Sequence, residues 1–173
     1  MIAGLVMSAA LAAVSVQSRP LPSVLLIDEG GRVVKLDALR GKVLIVTFFS
    51  SDSTGSDCTA VAGKFLYLQR HLSKSDYRLL QITRDPAHDS PQRLAMYARQ
   101  YGADPSIWSF LTGDPRQIAK LARALGAPKA KSASSDEPLI VIDRRGVIVG
   151  VLRDADWSPE DALALARSVT PAR

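Results

Sequence analysis

One stretch of the chain, Val43–Phe49, constrains the fold more than any other. Its sequence, VLIVTFF, is a continuous apolar run rich in β-branched and aromatic residues. Such a run is typical of a strand buried on both faces near the centre of an α/β sheet. A second apolar run, Tyr77–Thr83, follows after an interval long enough for one helix. The two runs predict a strand–helix–strand unit with parallel strands and a right-handed crossover.

The remaining elements are bounded by turn and helix-capping residues. In chain order these signals predict a hairpin around Gly30-Gly31, the strand Val43–Phe49, a helix over 60–72, the strand Tyr77–Thr83, a helix from Pro91 to Tyr101, a helix from Asp114 to Gly126, a hairpin around the turn Arg144–Gly146, and a helix from Ser158. This order predicts an α/β, thioredoxin-like three-layer fold. Its central mixed sheet is flanked by helices and extended by an N-terminal β-hairpin.

Length and composition favour one folded domain and exclude several functions. The chain has 173 residues, a formal net charge of +5, one cysteine and two histidines. The single cysteine excludes an internal disulfide and any zinc or iron–sulfur site made only of cysteines. A glycine-rich phosphate loop is absent from the sequence, and the basic residues are scattered without interleaved aromatics. We therefore expect no nucleotide chemistry and no nucleic-acid partner.

The N-terminal segment is distinct from the rest. Residues 2–16, IAGLVMSAALAAVSV, are uncharged and almost wholly apolar. At about 1.5 Å per residue, a helix of this length is too short for a bilayer core, and it fits the apolar part of a secretory signal. We expect residues 1–18 to be a signal peptide or short membrane anchor and residues 19–173 to be the single domain. The protein is then exported, either periplasmic or anchored to the outer face of the inner membrane, with residues 2–16 as the membrane tether.

Two neighbouring segments resemble the SCO/SenC family. They are DPAHDSPQRLAMYA from Asp85 and YGADPSIWSFLTG ending at Gly113, with shorter matches at LRGKV from Leu39 and VID from Val141. Members of that family are thioredoxin-fold proteins, usually membrane-tethered, that help metallate the copper site of cytochrome c oxidase. The resemblance implies an accessory role in oxidase assembly. It also implies a partner that is a respiratory oxidase subunit or another thiol or copper protein.

The resemblance also implies where copper ligands belong. The family carries two cysteines on the loop after the central strand and a histidine just before a late strand, because soft and borderline donors suit copper. Cys58 matches the second cysteine, and Asp52 stands where the first lies in longer-spaced variants. The histidine position falls near Ser134 or Ser135. Two of the three family ligands are missing, so copper is implied only with an altered site and no cofactor is assigned.

Cys58 is the candidate catalytic residue. It is expected at the start of a helix, where backbone N–H groups favour a thiolate. His88 is expected at the same edge of the sheet, so Cys58, Asp52 and His88 are candidate metal ligands; the alternative for His88 is a solvated loop histidine. One thiol also allows a single-cysteine oxidoreductase or peroxidase, or a non-catalytic scaffold. If the chain is an enzyme, these residues make it a thiol-dependent oxidoreductase.

A few other residues carry structural expectations. Pro138 occupies the position where thioredoxin-like proteins place a cis-proline, so we expect a cis bond before it. Asp85, Asp89 and Asp143 are interpreted as turn formers rather than metal ligands. Trp108 and Phe110 are interpreted as core or loop anchors.

Overall fold

The computed structural model describes residues 21–51, 56–127, 137–153 and 157–169, and the side chains within them except those of residues 56–58. In this part of the chain a seven-stranded mixed sheet forms the centre of the molecule. The strands are β1 (Leu25–Asp28), β2 (Val33–Lys35), β3 (Val43–Phe49), β4 (Tyr77–Thr83), β5 (Trp108–Thr112), β6 (Leu139–Ile142) and β7 (Ile148–Leu152). Their order across the sheet is β2-β1-β5-β4-β3-β6-β7.

Four α-helices and a short 3-10 helix, Leu36–Leu39, cover the two faces of this sheet. The α-helices are α1 (Ser56–His71), α2 (Pro91–Tyr101), α3 (Pro115–Ala124) and α4 (Pro159–Ser168). Helices α1, α2 and α4 pack on a face that includes the aromatic residues Phe49, Trp108 and Phe110. Helix α3, the 3-10 helix and residues 21–26 pack on the other, largely aliphatic face. The predicted three-layer thioredoxin-like fold is therefore confirmed.

The central strands have the predicted burial. All seven residues of β3 are buried, because β3 pairs in parallel with β4 on one side and antiparallel with β6 on the other. Alternate residues of β3 contribute to the two opposite cores, as the period of a strand requires. Helix α2 also begins and ends as predicted, with Ser90 capping its first turn, Pro91 in that turn, and Gly102 in the left-handed conformation after its last residue.

One strand is not foreseen by the sequence analysis. Trp108–Thr112 forms β5, which pairs in parallel with β4 and antiparallel with β1. Trp108 and Phe110 are core residues, as expected, but they stand on a strand rather than in a loop. Strand β5 joins the N-terminal hairpin to the central sheet, because β1 lies between β2 and β5 in the described sheet.

The expectation of a cis-proline is wrong. No peptide bond among the described residues is cis, so the Glu137–Pro138 bond is trans. The carbonyl of Pro138 accepts a hydrogen bond from Thr47 Oγ1 at 3.1 Å, which fixes the start of β6 beside β3. No helix in the described part of the chain is long and apolar enough to cross a membrane.

Candidate functional site

The loops that carry the predicted site residues leave the sheet at the carboxyl ends of β3 and β4. These strands end side by side, with Phe49 opposite Thr83, and Arg84 N–H donates to the carbonyl of Phe49 at 2.7 Å. Ligand sites in open α/β sheets gather at such an edge. Cys58 is the third residue of α1, which confirms its predicted place at the start of that helix. Its side chain, Asp52 and the positions of Ser134 and Ser135 lie outside the described part.

A fully buried carboxylate organises this edge. Asp89 is 0% exposed and lies just before α2. Its two oxygens accept hydrogen bonds from the hydroxyl groups of Ser51 and Thr83 and from the backbone N–H of Ser51, the last at 3.3 Å. Arg93 donates to Ser51 Oγ at 2.9 Å and its Nε lies 3.9 Å from Asp89. Asp89 thus ties the loops after β3 and β4 to the start of α2.

The segment DPAHDSP folds as it does because its polar residues cap neighbouring groups. Asp85 N–H donates to Thr83 Oγ1 at 2.8 Å, and Asp89 N–H donates to the carbonyl of Asp85 at 2.9 Å. Ser90 Oγ then accepts from the N–H of Arg93 at 3.3 Å and caps α2. Asp89 points inward as a result, whereas the sequence analysis interprets it as a turn former. That interpretation misses its contacts with the loop after β3 and with the end of β4.

A second polar contact lies at the same edge. The Arg84 guanidinium donates to both carboxylate oxygens of Glu137, at 2.8 and 2.7 Å, and its carbon lies 4.1 Å from the centre of the Phe48 ring. The two side chains are only 16% and 13% exposed. A two-point pair of this kind fixes geometry as well as charge. It joins the end of β4 to the residue that precedes β6.

His88 is held by a near neighbour. Its Nδ1 donates to Asp85 Oδ2 at 2.7 Å, and the side chain is 64% exposed. This hydrogen bond lowers the pKa of Asp85, more than its slight burial raises it. The contact fits the alternative of a largely solvated loop histidine. Its proposed approach to Cys58 involves a side chain outside the described part and stays a prediction.

The described residues also form long-range contacts at this edge that the sequence does not predict. Arg84 and Glu137 are 53 positions apart, and nothing in their local sequence signals that they pair. Asp89 and Ser51 are 38 positions apart. The one usable signal is topological: all of these residues follow or precede strands whose ends meet at one edge of the sheet.

The fold and this edge define the class of the protein as thioredoxin-like, with a helix carrying one cysteine after the central strand. The sequence model of the SCO1/SenC family matches residues 21–167. The chain belongs to that family.

Individual relatives agree with this assignment. A Stutzerimonas stutzeri protein, named as a candidate copper-binding protein, is 30% identical over 115 residues, which cover 65% of this chain and 54% of the relative. The chain spans about half the length of the curated relatives it matches. Copper-bound yeast Sco1 has a TM-score of 0.66 and 25% identity, over 87% of this chain and 90% of that chain. Copper-bound ScoI of Bradyrhizobium japonicum has a TM-score of 0.69 and 23% identity, over 88% and 100%.

Proposed function

We propose that this chain is an exported SCO/SenC accessory protein, related to copper delivery and cytochrome c oxidase assembly, that acts by binding a partner rather than by carrying copper. The observation that carries this proposal is the single cysteine in the sequence. A thiolate pair with an imidazole is the donor set that suits copper in this family, and one chain here supplies one thiolate. The residues of this chain therefore do not fit the family site.

The structure supports this proposal at the start of β6. The family histidine belongs just before that strand. Among the described residues, Glu137 is the nearest in sequence to this position whose side chain has oxygen atoms that could bind a metal. Both of its carboxylate oxygens accept hydrogen bonds from Arg84. Glu137 is therefore committed to a guanidinium and is a poor replacement ligand. Breaking such a nearly buried pair would cost a few kcal/mol, roughly 3–5 when burial is complete.

The scaffold around the altered site is nevertheless well built. Asp89 fixes the beginning of the loop after β3 through Ser51, and the Arg84–Glu137 pair fixes the residue before β6. Fixed loop ends give a surface with a defined shape, which is what recognition of a partner requires. We infer that the partner is a respiratory oxidase subunit or another thiol or copper protein.

An anaerobic Cu(I) competition titration tests the proposal. We expect the full chain to show no stoichiometric binding beyond that of the variant Cys58→Ala. The matched positive control is Thr54→Cys combined with Ser135→His, which restores two cysteines separated by three residues and the family histidine. This control is expected to bind one Cu(I) per chain. Stoichiometric binding by the parent chain that Cys58→Ala abolishes would overturn the metal-free part of the proposal.

A second function is favoured by one observation. Cys58 lies in the first turn of α1, a helix of 16 residues, where the helix dipole stabilises a thiolate. The chain is then a single-cysteine thiol oxidoreductase or peroxidase that takes its second thiol from another molecule. Peroxide reduction with an added thiol, lost in Cys58→Ala, would favour this function over partner binding.

A further inference from the structure

The end of the sheet opposite Cys58 carries a group of positive side chains, which we name the basic end. Three segments meet there: the residues before β3, the residues before β4 and the turn after β6. Gly41 N–H donates to the carbonyl of Arg144 at 2.9 Å, and Val43 N–H donates to that of Asp76 at 2.8 Å. The cationic residues of the basic end are Arg40, Lys42, Lys74, Arg78, Arg144 and Arg145.

Two of the basic residues, Lys42 and Arg78, lie close together because they share a backbone acceptor. Lys42 Nζ donates to the carbonyl groups of Lys74 and Ser75, both at 3.0 Å, and Arg78 donates to the same Lys74 carbonyl at 2.8 Å. Burial lowers the pKa of Lys42, and the positive charge of Arg78 lowers it further. The positive charges therefore repel one another at this end, and an anionic surface would relieve that repulsion.

Acidic residues offset only part of this charge. Asp76 pairs with Arg144, and Asp143 pairs with Arg145. Asp104 lies near Lys74 and Arg78, whose charges help to lower its pKa after the larger effect of its hydrogen bonds with Ser106.

Three basic side chains at this end, those of Arg40, Lys74 and Arg145, are exposed. Arg145 pairs with Asp143, so Arg40 and Lys74 make the strongest candidates for contacting an external anionic surface. Asp37, at the start of the 3-10 helix, adds one more acidic group near Arg40.

The chain enters the described domain at this same end. Leu21 is 6% exposed, and a Cβ atom on Gly146 would lie 3.7 Å from Leu21 Cδ1 and 3.6 Å from Arg40 Nε. The apolar segment 2–16 ends five positions before Leu21. Five residues reach at most about 18 Å, since an extended chain spans about 3.6 Å per residue. A membrane that binds residues 2–16 is therefore kept close to the basic end.

We propose that the basic end docks on an anionic lipid surface as the second half of a two-part membrane attachment whose first half is residues 2–16. This inference rests on the proposed export and tethering of the chain. Attachment through one weak apolar anchor is strengthened by a second signal, and a basic patch that meets anionic headgroups is one such signal. Each Lys or Arg near an anionic membrane contributes about 1 kcal/mol. The lipid is defined by its chemistry: a bilayer with negatively charged headgroups.

The orientation has a consequence for the candidate site. Strand β3 has seven residues and begins at the basic end, so it places its carboxyl edge about 23 Å further along. Docking at the basic end would turn Cys58, Asp89 and the Arg84–Glu137 pair away from the lipid. The candidate site would then face a partner that projects from the membrane.

Vesicle flotation of the full chain tests this inference, with phosphatidylcholine vesicles that contain or lack phosphatidylglycerol. The test variant is Arg40→Gln with Lys74→Gln. The matched control is Arg116→Gln with Lys120→Gln, which removes two exposed charges from α3, outside the basic end. At about fivefold per charge, the test variant is expected to bind the anionic vesicles roughly 25-fold more weakly than the parent. The control is expected to stay within about twofold of the parent, because distant charges are screened.

Three results would overturn the inference: equal binding of the parent to both vesicle types, no loss in the test variant, or an equal loss in the control. Thermal unfolding of all variants checks that each remains folded. Since neither vesicle arm involves copper or an oxidase subunit, failure here leaves the proposed accessory function standing. Failure of the copper titration likewise leaves the docking inference standing.

Discussion

Two buried aspartates at opposite ends of the sheet are satisfied in different ways. Asp143, 8% exposed, follows β6 and accepts hydrogen bonds from the N–H groups of Arg145 and Val147 and from Arg145 Nε, each at 2.9 Å. All of its partners lie within four residues. Asp89, 0% exposed, takes one hydroxyl partner, Ser51, from the loop after β3 and the other, Thr83, from the last residue of β4. One aspartate shapes a turn, and the other holds three segments together.

The Asp143 arrangement recurs in the first hairpin. Asp28 accepts from the N–H groups of Gly30 and Arg32 at 2.9 and 2.8 Å, and from Arg32 Nε at 2.8 Å. Both turns therefore follow from a short local pattern: an aspartate at the end of a strand, with a glycine and an arginine shortly after it. The Asp89 contacts have no such pattern, because they depend on which strand ends become neighbours. The local aspartate turn therefore occurs twice in the described chain, whereas the long-range contacts of Asp89 occur at the candidate site.

The largest effect is expected from Asp89→Ala. Removing the carboxylate leaves the buried hydroxyl group of Thr83 and the half-buried one of Ser51 without their acceptor. An unsatisfied buried group costs about 1–3 kcal/mol, so we expect the free energy of unfolding to fall by roughly 3 kcal/mol or more. Urea unfolding at neutral pH measures this loss.

The conservative variant Asp89→Asn serves as the control. It keeps one oxygen acceptor for one hydroxyl, and its amide can donate to the other. We expect it to lose about half as much stability as the alanine variant. A loss below about 1 kcal/mol in Asp89→Ala would mean that water replaces the carboxylate, and that the three segments hold together without it.

A smaller effect is expected from Asp143→Ala. The N–H groups that it exposes belong to Arg145 and Val147, which lie at a turn where water can reach them. We expect a loss of about 1–2 kcal/mol in the same unfolding measurement. Asp28→Ala is the matched variant in the other turn and is expected to lose a similar amount. If Asp143→Ala lowers the free energy of unfolding as much as Asp89→Ala does, the distinction between local and long-range hydrogen bonding of the two aspartates does not hold.

The sequence predicts what local patterns control. The bounds of β3 and β4 follow from apolar runs, and those of α2 follow from Ser90, Pro91 and Gly102. Strand β5 escapes prediction because its five residues become a strand only through pairing with β4 and β1. On this strand the N–H of Phe110 donates to a side chain, the carboxylate of Glu29, at 2.9 Å, and not to a backbone carbonyl.

The candidate site likewise has features that the sequence predicts and features that it does not. Its place at the carboxyl ends of parallel strands, and the position of Cys58 at the start of α1, follow from the order of elements. The Arg84–Glu137 pair and the contact between Asp89 and Ser51 do not, because they join residues far apart in the chain. The trans bond before Pro138 also departs from the expectation, which depended on analogy with other thioredoxin-like proteins and not on a local requirement.

The smallest effect expected is a dependence of the Asp143 contribution on pH. Burial raises the pKa of Asp143, but the hydrogen bonds from Val147 and Arg145 together lower it more, so the folded-state pKa lies below the ordinary value of 3.8. Stabilisation by the ionised carboxylate is then complete above that ordinary value and is lost as the pH falls through the lower, folded-state pKa. We expect the stability difference between the parent chain and Asp143→Asn to be constant near neutral pH and to shrink in acid. Urea unfolding of both proteins across this range measures it, and a difference that grows in acid would mean that the pKa of Asp143 is raised in the folded state.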